Sequence, residues 1–185
     1  MSYTASADSA PALMKARRTV TLGAARVLVA LACAVTLMAA PVAGADGEAK
    51  GTLSYKGKTL TFRHAYLVKG PAELDPKKTI RRMIFTESDI EAKLLACQTM
   101  SCVDREIPEG MEVDLDVGPR FNYWLTLNSQ RLQYSGTARP EVMKIADQGP
   151  KRLAGTLAID DTAAGGPKVD VEFAATLLKE LTAAR

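Results

Sequence analysis

A mainly β, antiparallel domain is the fold class this sequence predicts, on three observations. Apolar residues recur with a period of two in several short runs, the gaps between runs are hairpin-sized, and the helices that parallel βαβ units require are missing. Leu60, Phe62, His64, Tyr66 and Val68 alternate with Thr61, Arg63, Ala65, Leu67 and Lys69, as in a strand with one face turned inward. Met111, Val113, Leu115 and Val117 alternate with Glu112, Asp114 and Asp116 up to Gly118-Pro119, which reads as a strand with an acidic, solvated outer face. Phe121, Tyr123, Leu125 and Leu127 repeat the pattern. The expectation is an antiparallel sandwich or small barrel of seven to eight short strands. One short helix is expected near residues 89–98, and a helical signal peptide ahead of the domain.

The signal peptide is read from residues 14–45. Lys15, Arg17, Arg18 and Arg26 form a positive region, Val27 to Ala40 is an uncharged apolar stretch, and Ala43-Gly44-Ala45 offers a small-x-small cleavage site. Pro41 follows the apolar stretch, which is shorter than the roughly 20 residues of a membrane span. The expected organisation is therefore 1–45 signal peptide, with Met14 as the true start, and 46–185 a single β-rich domain beginning at Asp46. Such a chain is exported to the periplasm or the extracellular space. Arg17-Arg18 also permits the twin-arginine route, and Cys33 departs with the peptide.

Removal of residues 1–45 leaves 20 Lys+Arg against 20 Asp+Glu. The basic pI of the whole chain thus reflects its first 45 residues, and nothing in the charge balance of the domain points to nucleic acid. No apolar run after Asp46 approaches the length of a membrane span.

Taken in order, Gly51–Lys56 and the strand from Leu60 are expected to form a hairpin. A Gly57-Lys58 loop pairs Tyr55 with Leu60 and Leu53 with Phe62, places His64 opposite Gly51, and puts glycine first as a type II′ turn requires. Thr79–Thr86 is the next strand. Ser88-Asp89-Ile90-Glu91 fits a capping box, with Ile90, Leu94, Leu95 and Cys97 as the apolar side of the helix. A Ser129-Gln130 loop sets Leu127 opposite Leu132 and Leu125 opposite Tyr134, leaving Trp124 on the other face. Val142–Ile145, Leu153–Ile159 and Val169–Ala175 supply three further strands, and Leu177–Ala184 a terminal helical turn.

Two groups of residues carry chemistry worth testing. Cys97 and Cys102 survive processing and are expected to form a disulfide in an oxidising compartment, a local clip worth only about 2 kcal/mol on loop-entropy grounds. Together with Met100 and the single histidine, His64, the same sulfurs form the alternative reading, a soft-metal site suited to Cu(I). Arg120, Tyr123, Trp124, Arg131 and Tyr134 bring cations and aromatics onto adjacent strands, a combination found at binding surfaces. Asp160-Asp161, ahead of Gly165-Gly166, lacks the alternating order of a calcium loop. One histidine, no G-x-S-x-G and no H-E-x-x-H leave no familiar catalytic constellation.

Gly51-x-Leu53-x-Tyr55-x-Gly57-Lys58, His64-Ala65-Tyr66, Ala158-Ile159-Asp160-Asp161 and Gly166-Pro167-Lys168-Val169-Asp170-Val171-Glu172-Phe173 resemble a group of small exported bacterial proteins of unknown function. The resemblance implies an exported β domain and transfers no active residues. The expected function is a non-catalytic, cofactor-free module of the cell envelope that binds a small ligand or an envelope protein. Copper handling through Cys97, Met100 and Cys102 is the first alternative, and an enzyme with an unfamiliar site the second.

Overall fold

The alternating runs do become strands, and the short connections string them into one sheet. The computed structural model describes residues 46–185; the expected signal peptide lies outside them. Nine strands, β1 (Glu48–Tyr55), β2 (Lys58–Pro71), β3 (Thr79–Thr86), β4 (Gly110–Leu115), β5 (Phe121–Leu127), β6 (Gln130–Ala138), β7 (Met143–Gly149), β8 (Arg152–Asp160) and β9 (Lys168–Glu180), are joined in the order β6-β5-β4-β3-β2-β1-β9-β8-β7. Neighbours in this order are antiparallel. Past the beginning of β1, β2 and β9 meet directly and in parallel, Leu67 facing Leu177 and Lys69 facing Glu180.

This is a single sheet curled into a half-barrel, not two stacked sheets. Side chains from distant strands, among them Leu53, Phe62, Phe85, Val113, Tyr123, Leu157 and Phe173, share one core inside the curl. The rim is tied across by the β8–β9 loop: the Tyr123 hydroxyl donates to the Asp161 carboxylate, and Tyr123, Tyr134 and Tyr55 line up with ring centroids 6.0 and 5.7 Å apart. Two short helices, α1 (Glu91–Ala96) and α2 (Met100–Glu106), cover the opposite face of β2 and β3. There Tyr66, Val68, Ile80 and Ile84 pack against Leu94, Met100, Val103 and Leu181.

Several expected details are corrected. The first hairpin turns through Lys56-Gly57, both at positive φ (47° and 79°), so Tyr55 pairs with Lys58, Leu53 with Leu60 and Gly51 with Phe62. Two successive positive φ values are the signature of a type I′ turn, which matches the strand twist. The Tyr55–Lys58 pairing carries no penalty, because Lys58 sends its ammonium to Glu109 while its stem stays on the sheet. A register shift between Glu48 and Gly51 then sets His64 opposite Glu48, not Gly51. The alternation of β2 also changes phase after Phe62: Leu60 and Phe62 join the inner core, whereas Tyr66 and Val68 lie beneath the helices.

The one expected helix is two. Cys97 leaves α1 in extended conformation, and Thr99 starts α2 with its hydroxyl accepting from the Cys102 N–H at 3.1 Å. The capping box does not form. Asp89 accepts from the Glu91 N–H, and the Ile90 N–H is taken by the Tyr66 hydroxyl at 2.9 Å. The second expected hairpin keeps Leu125 opposite Tyr134 but turns through Asn128-Ser129, both at positive φ, so Leu127 faces Gln130. The expected terminal helical turn is strand: β9 runs on to Glu180, and Thr99 and Ala183 form an isolated parallel bridge.

Candidate functional site

On the helix-covered side of the sheet, alternation places Arg82 of β3, Glu112 and Asp114 of β4, and Asn122 and Trp124 of β5 on one face. Registration sets Arg82 against Asp114 and Asp114 against Asn122 in one row, with Glu112 against Trp124 in the next. The turn of α2 above them adds Asp104. Relative exposures of 3% for Arg82, 4% for Asp104, 1% for Glu112 and 5% for Asp114 show that these charges are inside the protein. The acidic face of β4 is therefore not solvated, as its alternation suggested; only Asp116 is exposed, pairing with Arg81 at 2.7 Å.

Charges so placed persist only when paired and hydrogen-bonded. Arg82 fulfils this with its whole fork. Nε and Nη2 donate to the two Asp114 oxygens, the latter at 2.9 Å, and Nη1 donates to Asp104 and lies 3.5 Å from Glu112. Burial works against the charge of Arg82, but the hydrogen bond to Asp114 and the fields of Asp114, Glu112 and Asp104 outweigh it and hold the guanidinium above its ordinary pKa. The guanidinium carbon also lies 5.6 Å from the centroid of the Trp124 ring, within cation–π range.

Beside this network is a cavity of about 410 Å³, walled by Arg82, Asp114, Asn122, Trp124, Val117 and the loop from Ala72 to Lys78. One wall is thus a rigid, pre-paired ionic lattice with an indole, and the other a loop carrying Glu73, Asp75 and Lys78. Leu74, in that loop, is 98% exposed. The loop is tied at its base by the Ala72 N–H to the Lys78 carbonyl, 2.8 Å, and at its side by Arg185 to Glu73, 3.0 Å. Arg82 and Asp104 were not singled out in the sequence. The signal for Arg82 was the Arg-Arg pair of β3, which any antiparallel partner with alternating acids must meet on one face or the other.

The expected cation–aromatic patch is dispersed. Tyr123 is fully buried in the inner core and Tyr134 packs against that core, whereas Trp124 faces the opposite side. Arg120 lines a separate, more open cavity of about 980 Å³ with Arg139, Lys144, Asp160 and Asp161, and Arg131 lies on β6. The expected sulfur cluster is divided as well. Cys97 and Cys102 are joined as a disulfide, and Met100 is buried against Gly70 and Leu181. His64 stacks on Tyr66 at 6.2 Å and borders a third cavity with Asp46, Glu48, Asp89 and Glu91. Among the described residues no group of three or more His, Cys, Asp or Glu side chains is arranged to hold a metal ion.

Tyr66 lends that third cavity a titratable wall. Burial is the main cause that raises its phenol from 10.0 to about 12, with the hydrogen bond it donates to Asp89, 2.8 Å, acting in the same direction. The folded state therefore holds a proton that the unfolded chain loses first. The associated stability is complete below pH 10 and is lost as pH rises through 12. Chemical denaturation across this range should show wild type losing stability more steeply than Tyr66→Phe; parallel curves would rule the assignment out.

No protein-family model, no curated protein and no solved structure matches this chain.

Proposed function

We propose that the protein is an exported, non-catalytic binding module of the cell envelope, and that its ligand site is the Trp124 cavity. The observation that carries this reading is the meeting of Trp124 with the buried Arg82–Asp114 pair on one wall of an open cavity of about 410 Å³. Ligand sites are concave, with an apolar lining and a few fixed polar groups, and here Ala72, Val117 and the indole supply the first while Arg82, Asp114 and Asn122 supply the second. The pairing of Arg82 with Asp114 and Asp104 holds the wall ready before any ligand arrives, so little ordering cost falls on binding. A small molecule with a flat or apolar body and a charged end fits this lining. The Cys97–Cys102 disulfide accords with export.

Trp124 is the only tryptophan in the chain, so its emission reports on the cavity alone. A titration panel of amino acids, amines, and aromatic and aliphatic carboxylates, run on protein from the native envelope fraction, is expected to yield at least one saturable change. Asp114→Asn should weaken that response. The intact mass of the same sample should begin at Asp46. A panel without any saturable response would remove the site, and a retained N-terminus would remove the export assignment.

A further inference from the structure

We propose that the Cys97–Cys102 disulfide is a redox control on the Trp124 cavity, acting through α2 and Asp104; this rests on reading that cavity as the binding site. The disulfide joins the residue that ends α1 to the first turn of α2. Asp104 lies two residues beyond Cys102 on the same helix and accepts from Arg82 Nη1. Arg82 in turn grips Asp114, and both line the cavity with Trp124. From the sulfur bridge to the cavity wall there are thus two residues of helix and one charged hydrogen bond.

α2 has little hold of its own. It has seven residues, against the roughly 12–15 that an isolated helix needs to be even marginal in water. Its position comes from the disulfide, the Thr99 cap, burial of Met100 and Val103, and two backbone bonds to the C-terminal tail: Met100 N–H to Ala183 at 3.1 Å and Ser101 N–H to Ala184 at 2.9 Å. The tail carries the same coupling by a second path, because Arg185 pairs with Glu73 on the opposite wall of the cavity. A change at residues 97–102 therefore reaches both walls. The apolar contacts and the tail remain after reduction, so α2 loosens at its first turn and stays docked.

The reductant is a dithiol, free or in a protein. Cys97 is 1% exposed and Cys102 is partly exposed, so attack falls on the Cys102 sulfur. The attacking thiolate forms a mixed disulfide with Cys102, and Cys97 leaves as a thiolate and takes a proton. The second thiol of the reductant then displaces Cys102, which is protonated in turn, and the reductant departs oxidised; two electrons and two protons have passed to the protein.

The test compares the oxidised mature chain with the same protein treated with dithiothreitol and alkylated, reading Trp124 emission, its quenching by acrylamide and the far-ultraviolet circular dichroism. The expected result is a red shift and stronger quenching with unchanged secondary structure. The Cys97→Ser/Cys102→Ser double variant and, in oxidised protein, Asp104→Asn should both reproduce it. Unchanged emission and quenching in protein shown by mass to carry two alkyl groups would overturn the proposal. So would collapse of the circular dichroism, because the bridge would then hold the whole fold. None of these readings needs a ligand. If emission responds to reduction and no compound binds in either state, the site assignment fails and the coupling stands; if a compound binds equally in both, the coupling fails and the site stands.

Discussion

Arg82→Met should destabilise the protein by about 3–5 kcal/mol, the range seen when one partner of a buried ion pair is removed and its counter-charges stay behind. Three carboxylates, those of Asp104, Glu112 and Asp114, touch this guanidinium in a region nearly closed to water. Removing the cation withdraws three contacts at once and leaves the carboxylates to be protonated or hydrated at the expense of the packing of α2 on β3 and β4. For a domain of this size the melting temperature should fall by about 10 °C or more. Arg82→Lys should recover only part of the loss, because an ammonium cannot hold Asp114 by two parallel bonds and still reach Asp104. Urea unfolding of the three proteins decides the matter. A loss for Arg82→Met below about 1 kcal/mol, the value of an exposed pair, would mean that the network is solvated and the cavity wall is not rigid.

Gly51→Ala should cost about 3 kcal/mol, at the upper end of what overpacking does, although it adds only a methyl group. Gly51 lies in the centre of the sheet, opposite Phe62 on one side and Val171 on the other. A Cβ there would run into the Asp170 carbonyl and lie 2.5 Å from the Val171 Cα. Both obstacles include backbone, so relief requires β1 and β9 to separate, and side-chain repacking cannot supply it. Gly57→Ala, at a turn glycine with φ of 79° and nothing within 4 Å, isolates the other way a glycine can matter and should cost only about 1 kcal/mol. A melting temperature for Gly51→Ala close to wild type would show that the β1–β9 pairing is looser than the structure has it.

Strands β2, β4 and β5 were legible because period-two alternation is a local property, and Leu125 met Tyr134 as the pattern required. Turn geometry was harder. Lys56-Gly57 and Gly57-Lys58 both leave most apolar residues paired, and the chain takes the first, whose two positive φ values give the type I′ turn that matches strand twist; the Lys58 that then faces Tyr55 meets Glu109, 51 residues away, a partner no local window contains. The capping box failed within its own segment: the Glu91 N–H goes to Asp89 and not to Ser88, while Tyr66 of β2 takes the neighbouring Ile90 N–H.

By itself the sequence determined that the domain is antiparallel and mainly β, that Trp124 stands on the face opposite Tyr123, and that Cys97 and Cys102 are close enough to join. These follow from pleat, short connections and loop length, all set within a few residues of chain. Only the tertiary structure decided that nine strands form one curled sheet, and that the Glu112 and Asp114 face is buried under a helix and matched to Arg82. Alternation tells which residues share a face of a strand. Whether that face meets water or another element depends on segments distant in sequence, and for a charged face this decides whether it is a solvated surface or the fixed wall of a cavity.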